Sequence, residues 1–349
     1  MVTFPEQFNL ADYFLFERLR EGRGGRVALR FGDRSWTYEQ VAQRTRALAF
    51  AFAALGVPRE QRVLIALPDT PPFAWSLFAT LAHGAVVAMG NPHAPVADLE
   101  YLVHYSRAAA IVTTPEVAAS LVPVLAASAH LKALLLVPDV ATGGDCEGEA
   151  EVPAGLDRAR FPVVSLARVI ADAGPAEDAL LPTHRDDVCF WLFTSGTTGK
   201  PKANMHTHRD FAFNTEVYGK ATVGYRADDV AVSVPRLFFG YATGTNLLFP
   251  FAVGASAGLF AERPTPDSVA DAIARYRPTV VTNVPTMMGK LLEHDEGLAA
   301  AGRPRIDMSS VRFQLSAGEA LPPALLERFM ARFGCDVYDG IGSAEMFHI

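Results

Sequence analysis

The sequence predicts an α/β protein made of two stacked lobes, each built on a mainly parallel sheet. The chain has 349 residues and half of them are apolar, so it can bury more than one core. Short apolar runs rich in β-branched residues recur between turn signals, as in the buried strands of parallel sheets. Helical patterns separate these runs, and such alternation is typical of α/β layering.

Five apolar runs are predicted to be buried strands. In chain order they are residues 63–67, 109–112, 134–137, 230–234 and 280–284. A helix is predicted over residues 38–55, preceded by Thr37 and with Gln40 at the spacing of a capping box. A further helix is predicted to begin at Pro266, because proline suits the first position of a helix.

The lobes are predicted to meet near a polar, proline-containing stretch at residues 171–187. This gives a first lobe of residues 1–180 and a second lobe of residues 181–349. Residues 141–155 form another predicted surface connection. The run 238–260 has no charged residue, but polar residues, proline and glycine interrupt it, so we predict buried loop and strand rather than a membrane span. No internal repeat is visible.

Composition argues against several classes of partner. The chain carries 31 Lys and Arg against 38 Asp and Glu, a net charge of −7, so neither nucleic acid nor an anionic membrane is expected to bind. Its three cysteines, Cys146, Cys189 and Cys335, lack the spacing of a zinc site or a disulfide framework. The N-terminus lacks a secretory signal pattern, and together these features predict a reduced, cytoplasmic setting.

The most informative segment is a polar loop at residues 194–202, which reads Thr-Ser-Gly-Thr-Thr-Gly-Lys-Pro-Lys and follows an apolar run at 188–193. Glycines allow backbone amides to approach phosphate oxygens, while hydroxyls and lysines add donors and charge. The spacing differs from the common nucleoside-triphosphatase loop, since two residues rather than four separate the glycines and proline follows the first lysine. The alternative is an ordinary polar surface loop.

This ordered string closely resembles the signature loop of the adenylate-forming superfamily, which comprises acyl- and aryl-CoA ligases, adenylation domains and luciferases. Three later segments resemble further motifs of that family in the same order, at residues 237–241, 316–320 and 339–345. The resemblance covers essentially the whole chain. It implies the N-terminal domain of the adenylate-forming enzyme fold.

The resemblance also implies site residues. The β- and γ-phosphates of ATP would be bound by Thr194, Ser195, Gly196, Thr197, Thr198, Gly199 and Lys202. Adenine would lie along Gly318, Glu319, Ala320, Asp339, Gly340 and Ile341. An aryl acid would be enclosed by Phe239, Gly240, Tyr241, Ala317, Gly342 and His348. Glu345 would bind Mg²⁺, and no catalytic residue is assigned within the sequence.

The implied reaction converts a carboxylate, which is a poor acyl donor, into an acyl-adenylate with release of pyrophosphate. A thiol then attacks the adenylate. Because carboxylate and phosphate are both negative, Mg²⁺ and fixed donors must neutralise the transition state. ATP, Mg²⁺ and coenzyme A as co-substrate are therefore expected.

Two departures from the family pattern matter. Ala344 stands where most members have Thr, which removes a hydroxyl expected to contact the α-phosphate; Ser343 is a candidate replacement. The sequence stops at Ile349, before the family's ribose-binding Asp, its hinge and the C-terminal lobe with the catalytic Lys. We therefore expect a fragment that forms no thioester at a useful rate.

Within the superfamily, residues 238–241 and 340–349 look most like benzoate-type CoA ligases. Those enzymes commonly carry Ala where this chain has Gly240, and the missing methyl would leave space for an ortho substituent. 2-Aminobenzoate is therefore favoured, with benzoate close behind. Two alternatives stay open, namely an adenylating enzyme that loads a carrier protein and a ligand-binding fragment without catalysis.

Overall fold

A computed structural model describes residues 2–138, 146–173, 180–194 and 199–348. The chain forms two compact units. Unit 1 contains Met1–Gly25 and Tyr38–Phe213, and unit 2 contains Arg26–Thr37 and Asn214–Ile349. Each unit is built on one seven-stranded sheet. The predicted α/β class, with two mainly parallel sheets, is confirmed.

The strands are β1 (Val27–Phe31), β2 (Arg34–Thr37), β3 (Arg62–Ala66), β4 (Val86–Met89), β5 (Ala110–Thr113), β6 (Ala133–Leu136), β7 (Val163–Ser165), β8 (Val188–Thr194), β9 (Lys202–Thr207), β10 (Val230–Ser233), β11 (Ser256–Leu259), β12 (Val280–Asn283), β13 (Phe313–Ser316) and β14 (Asp336–Asp339). The five runs predicted as strands correspond to β3, β5, β6, β10 and β12. All five predictions are confirmed.

The α-helices are α1 (Glu17–Arg20), α2 (Tyr38–Ala54), α3 (Pro71–Ala82), α4 (Val96–Ser106), α5 (Pro115–Ser120), α6 (Val122–Ala127), α7 (Leu166–Asp172), α8 (His208–Asn214), α9 (Gly240–Thr243), α10 (Phe249–Val253), α11 (Pro266–Tyr276), α12 (Pro285–Ala300) and α13 (Pro323–Phe333). Within the described residues, three further segments are π-helical, Asp12–Phe16, Thr215–Val223 and Gly244–Leu248. The helix expected at Pro266 is confirmed, and Thr265 caps it together with Ser268.

The sheet of unit 1 has the order β7-β6-β5-β3-β4-β8-β9. Neighbouring strands are parallel except β8 and β9, which form an antiparallel hairpin. Side chains of the central strands pack against helices α4, α5 and α6 in one apolar cluster. Helix α3 is buried along its whole length. Burial on both faces explains why these strands appear as unbroken apolar runs.

The sheet of unit 2 has the order β14-β13-β12-β10-β11-β1-β2. It is parallel except for the hairpin of β1 and β2. Helices α11, α12 and α13 pack on it through a cluster that includes Ile273, Leu291 and Phe329, all of them fully buried. Helices α11 and α13 are amphipathic, as expected for elements that cover one face of a sheet.

A buried carboxylate joins three elements of unit 2. Asp295 of α12 accepts hydrogen bonds from Arg305 Nε at 2.9 Å, Arg332 Nη2 at 2.7 Å and the Ile306 amide at 2.9 Å. Burial alone would raise the pKa of Asp295, but the hydrogen bonds from Arg332 and Arg305 lower it to about 2. The Asp295 carboxylate is therefore ionised at neutral pH. Removing the arginines that pair with it would strongly destabilise the fold, because the buried charge would be left unpaired.

The division between the units differs from the boundary predicted at residue 180. Strands β8 and β9 extend the first sheet because β8 pairs in parallel with β4. The early hairpin β1–β2 belongs to unit 2 because β1 pairs with β11. Long-range strand pairing, rather than a polar linker, therefore sets the units, and residues 181–213 fall in unit 1.

The uncharged run 238–260 is more helical than predicted. It contains α9, the π-helical segment Gly244–Leu248, and α10 before β11. Thr243 and Thr245 donate their hydroxyls to the carbonyls of Phe239 and Tyr241, four residues earlier. This bonding satisfies buried hydroxyls inside a helix, so the polar residues do not interrupt it. Among the described residues, no helix combines the length and apolar character needed to span a membrane.

Candidate functional site

The predicted phosphate loop of unit 1 is held at both ends by an antiparallel ladder. Thr194, the last residue of β8, pairs directly with Lys202, the first residue of β9. Directly opposed residues of a ladder place their side chains on the same face. Thr194 and Lys202 therefore lie on the same face of the hairpin, at the two ends of the predicted loop.

Four residues assigned to this loop, Ser195, Gly196, Thr197 and Thr198, lie outside the described residues. Gly199 lies within them and has φ +80°, with nothing within 4 Å of the position that a Cβ would take. Backbone strain rather than space therefore explains why glycine is required there. Strand β9 begins immediately after Pro201.

Two histidines follow the loop. His208 is buried and its Nδ1 accepts a hydrogen bond from the Leu10 amide at 3.1 Å. Burial lowers the pKa of His208 to about 4, against an ordinary value of 6.5, so the ring is neutral at pH 7. The side chain of His206 lies 3.7 Å from Asp210. These contacts give both histidines a structural task near the loop.

The candidate residues of unit 2 gather at the carboxyl edge of its sheet. Residues 239–241 follow β10, residues 317–320 follow β13 and residues 339–342 include and follow the end of β14. These strands are parallel, so their carboxyl ends lie along one edge. Ligands of open α/β sheets bind in this kind of position.

The two segments assigned to adenine lie next to each other. Ser316 and Asp339 are paired residues at the ends of β13 and β14, and the Gly340 amide donates to the Ser316 carbonyl at 2.9 Å. Glu319 accepts hydrogen bonds from the hydroxyl of Thr286, at 2.5 Å, and from its amide at 3.3 Å. Gly318, Glu319, Ala320 and Ile341 are exposed, with Ile341 at 90%.

Tyr241 and His348, both assigned to the aryl-acid pocket, are in contact. His348 is 3% exposed, and its Nε2 lies 2.9 Å from the Tyr241 carbonyl oxygen. A carbonyl only accepts, so Nε2 carries the proton and Nδ1 is an acceptor. Burial lowers the pKa of His348 to about 4. The imidazole is therefore neutral at pH 7, with a defined tautomer.

Two buried polar atoms at this contact lack hydrogen-bond partners among the described residues. They are the hydroxyl oxygen of Tyr241 and Nδ1 of His348. Burial, with smaller contributions from Tyr218 and Asp339, raises the pKa of Tyr241 well above its ordinary value, so the hydroxyl is protonated. A buried donor and a buried acceptor without partners are costly, and a polar ligand group would satisfy them.

The ring of His348 is fixed by residues that sequence reasoning missed. It lies 4.8 Å from the ring of Phe249 and 5.6 Å from that of Tyr218. A Cβ on Gly244 would lie 2.5 Å from His348 Cδ2, so only glycine allows this approach. No motif covers these positions, and the uncharged run around Gly244 was the only signal available.

The remaining residues predicted to line the aryl-acid pocket lie at the ends of three different elements and differ in exposure. Ala317 is buried directly after β13, and Gly342 is exposed after β14. Phe239 is 54% exposed at the start of α9, with its ring 4.6 Å from that of Phe238. Gly240 is the first residue of α9 and is partly buried.

Glu345, the predicted magnesium ligand, is an exposed carboxylate in the segment after β14. In the part of the chain that the structure describes, no group of three or more His, Cys, Asp or Glu residues is arranged to bind a metal. A single carboxylate fits Mg²⁺ that is held mainly by substrate phosphates and water, and does not fit a resident all-protein metal centre.

Comparison with known proteins agrees with this architecture. Residues 16–349 match the AMP-binding enzyme family. The benzoate–CoA ligase of Thauera aromatica is 35% identical over 349 residues, which are 100% of this chain and 61% of that protein. The anthranilate–CoA ligase of Pseudomonas aeruginosa is 30% identical, over 93% of this chain and 55% of that protein.

Among solved structures, the anthranilate CoA ligase AuaEII in complex with anthranoyl-AMP superposes with a TM-score of 0.83 and 28% identity. The match covers 99% of this chain and 61% of that one. The chain therefore spans about three fifths of the length of these relatives. An adenylate-forming α/β architecture is thus defined by fold and sequence together. The chain belongs to the AMP-binding enzyme family.

Proposed function

We propose that the protein takes part in the ATP-dependent activation of an aromatic carboxylic acid, first to the aryl-adenylate and then to the coenzyme A thioester. The observation that carries this proposal is the contact of Tyr241 with His348 at the carboxyl edge of the sheet of unit 2. It supplies an aromatic, largely buried surface with a few polar atoms, which is the composition of a small-molecule site. The relatives named as benzoate–CoA and anthranilate–CoA ligases support the same substrate class.

In this proposal, Lys202 and Thr194 bind the β- and γ-phosphates of ATP, together with the loop residues between them. The direct pairing of these two residues supports the assignment. A fixed ammonium group stabilises charge that develops as pyrophosphate leaves, and it needs no reorganisation at that moment.

The adenine ring is proposed to lie along the segments that follow β13 and β14. Their adjacency, with the Gly340 amide bonded to the Ser316 carbonyl, supports a continuous binding edge. Asp339 is proposed to accept a hydrogen bond from the adenine amine.

Glu345 is proposed to bind Mg²⁺ that accompanies the ATP phosphates. When bound, Mg²⁺ would neutralise charge on the phosphates and so admit the carboxylate of the acid. The three cysteines are buried and are not in disulfides, which fits the proposed cytoplasmic setting.

A polar substituent on the ring is favoured by the unpaired atoms of the pocket. The hydroxyl of Tyr241 can donate and Nδ1 of His348 can accept, so an amino group on the aromatic acid could bind His348. This supports 2-aminobenzoate as the substrate, with benzoate as the next candidate.

The test is binding of stable acyl-adenylate analogues, because binding does not depend on turnover. We expect 2-aminobenzoyl-sulfamoyl-adenosine to bind the chain more tightly than the acetyl analogue, by about 100-fold, since burial of a ring contributes about 2–3 kcal/mol. Isothermal titration calorimetry measures both affinities. Equal affinities for the aryl and acetyl analogues would exclude an aromatic acid pocket.

A further inference from the structure

Two tyrosines of helix α4 contact the segment at which the phosphate loop returns to its sheet. Tyr101 and Tyr105 are four residues apart, so they lie on one face of the helix. Their rings lie 5.4 Å apart with an interplanar angle of 28°. Neither residue belongs to a motif of the loop.

Each tyrosine bonds to the backbone of the returning segment. The Tyr101 hydroxyl donates to the Pro201 carbonyl at 2.9 Å. The Ala203 amide donates to the Tyr105 hydroxyl at 3.4 Å, which is a longer contact. These two bonds bracket Lys202 from both sides along the chain.

The same pair is anchored to the outgoing strand. The Tyr105 ring lies 6.2 Å from Trp191 and 6.1 Å from Phe193, in edge-to-face geometry with both. Trp191 and Phe193 are alternate residues of β8, so they share one face of the hairpin. Thr194 and Lys202 point to the opposite face. The tyrosines therefore support the hairpin from behind and leave the phosphate-facing side open.

Lys200 and Lys202 have different surroundings, and Tyr101 accounts for the difference. Lys200 Nζ lies 5.4 Å from the centre of the Tyr101 ring, in a cation–π arrangement. This contact holds the charge of Lys200 against α4. Lys202 is exposed at the start of β9, where it pairs with Thr194.

We infer that Tyr101 and Tyr105 are positioning residues for nucleotide phosphates. They hold residues 200–203 in place before ATP arrives, so that binding does not have to order this segment. Pre-ordering of a loop raises affinity because less conformational freedom is lost on binding. This inference rests on the proposed function of the phosphate loop.

The experiment compares ATP with AMP, since AMP lacks the β- and γ-phosphates. Affinities of the chain for both nucleotides are measured by isothermal titration calorimetry in the presence of Mg²⁺. Tyr101→Phe removes one hydrogen bond and keeps the ring, so ATP affinity should fall about three- to tenfold. Tyr101→Ala also releases Lys200, and its ATP affinity should fall by more than tenfold. AMP affinity should stay within about twofold in both variants.

Tyr276→Phe is the matched control. Its hydroxyl donates to a backbone carbonyl, that of Leu259, at 2.7 Å, but Tyr276 belongs to unit 2, whereas the loop hairpin belongs to unit 1. This variant should lose stability and keep its ratio of ATP to AMP affinity. A purely structural role for Tyr101 would instead give Tyr101→Phe the same unchanged ratio, which would overturn the inference.

Lys202→Ala separates failure of the inference from failure of the proposed function. If Lys202→Ala weakens ATP binding while Tyr101→Phe and Tyr101→Ala leave the ratio unchanged, only the positioning role is wrong. If Lys202→Ala also leaves ATP affinity unchanged, the loop does not bind phosphates and both are wrong. A selective loss of ATP affinity in all three variants supports the inference.

Discussion

Each unit contains five strands that are consecutive in sequence and lie in the same spatial order. In unit 1 this order is β7-β6-β5-β3-β4, and in unit 2 it is β14-β13-β12-β10-β11. In each sheet the second strand pairs with a parallel strand that begins an antiparallel hairpin, β8–β9 in unit 1 and β1–β2 in unit 2. The hairpin follows the five strands in unit 1 but precedes them in unit 2. One topology thus occurs twice, with a different chain order.

The two hairpins differ most at their turns. In unit 2, Phe31 pairs with Arg34, which leaves only Gly32 and Asp33 as the turn. In unit 1, Thr194 pairs with Lys202, and residues 195–201 lie between them. Equivalent positions of the same topology therefore carry a minimal turn in one unit and the proposed phosphate loop in the other. Under the proposed function, the loop and not the scaffold that presents it carries the binding role.

The largest effect is expected from the charged cluster that distinguishes unit 2. Asp295→Ala leaves Arg305 and Arg332 without their shared carboxylate and should lower the free energy of unfolding by about 3–5 kcal/mol. Asp172→Ala, which removes an exposed partner of Arg168 in unit 1, should change it by less than about 1 kcal/mol. Hydrogen exchange should accelerate in α12 and β13. Equal acceleration throughout unit 1 would mean that the units unfold as one.

The next effect concerns the two hairpins directly. Lys202→Ala should reduce ATP-dependent adenylation by about 100-fold, because a fixed charge at the phosphates is lost. Arg34→Ala changes the corresponding position in the hairpin of unit 2, where Arg34 lies over the ring of Trp36, and should leave adenylation unchanged. Pyrophosphate release by the complete enzyme with an aryl acid measures both rates. Equal rates in the two variants would remove the functional difference between the hairpins.

Burial lowers the pKa of one histidine in each unit to about 4, that of His208 in unit 1 and that of His348 in unit 2. As pH falls from 7 to 5, the unfolded chain takes up protons that the folded rings do not accept. Each histidine should therefore lower the stability of its own unit by about 2 kcal/mol over this interval. Urea unfolding of His208→Asn and His348→Asn at both pH values tests this. If a variant lost as much stability between pH 7 and pH 5 as the parent protein, the low pKa assigned to that histidine would be wrong.

The smallest effect concerns α9 of unit 2 and α3 of unit 1. Each is the helix that follows the first of the five consecutive strands, β10 and β3 respectively. Gly240→Ala adds one methyl group at the start of α9, and overpacking a tight pocket typically costs about 1–3 kcal/mol. In the complete enzyme, the ratio of kcat/KM for benzoate to that for 2-aminobenzoate should rise roughly tenfold. Ser76→Ala in α3, the corresponding helix of unit 1, should leave this ratio unchanged. An unchanged ratio in Gly240→Ala would remove the argument for an ortho substituent.

Strands could be predicted because their signals are local, and the phosphate loop, which rests on an equally local pattern, stays a prediction. Burial on both faces produces an apolar run, and a phosphate loop needs glycines, hydroxyls and lysines close together in sequence. The unit boundary could not be predicted, since it depends on the pairing of β1 with β11 and of β4 with β8. The repeated topology was invisible for the same reason: strand order is a property of pairing and leaves no periodic pattern in the residues.

The candidate site shows the same limit. His348 was assigned to the pocket through a family resemblance, but Tyr218 and Gly244, which lie against its ring, are more than 100 residues earlier. Tyr101 bonds to Pro201 across a separation of 100 residues. Short motifs identify residues that contact a ligand. Residues that hold those residues in place need no fixed spacing, and only the folded chain reveals them.

The early position of the hairpin β1–β2 has a consequence for synthesis of the protein. Arg26, beside β1, bonds to the Gly254 carbonyl, 228 residues further along the chain. At about 5–20 residues per second, the ribosome needs roughly 10–50 s to deliver that partner. During this interval the sheet of unit 1 can be completed, while β1 has yet to meet the strand it pairs with. An exposed strand edge of this kind is a point where a nascent chain can pair wrongly or recruit a chaperone.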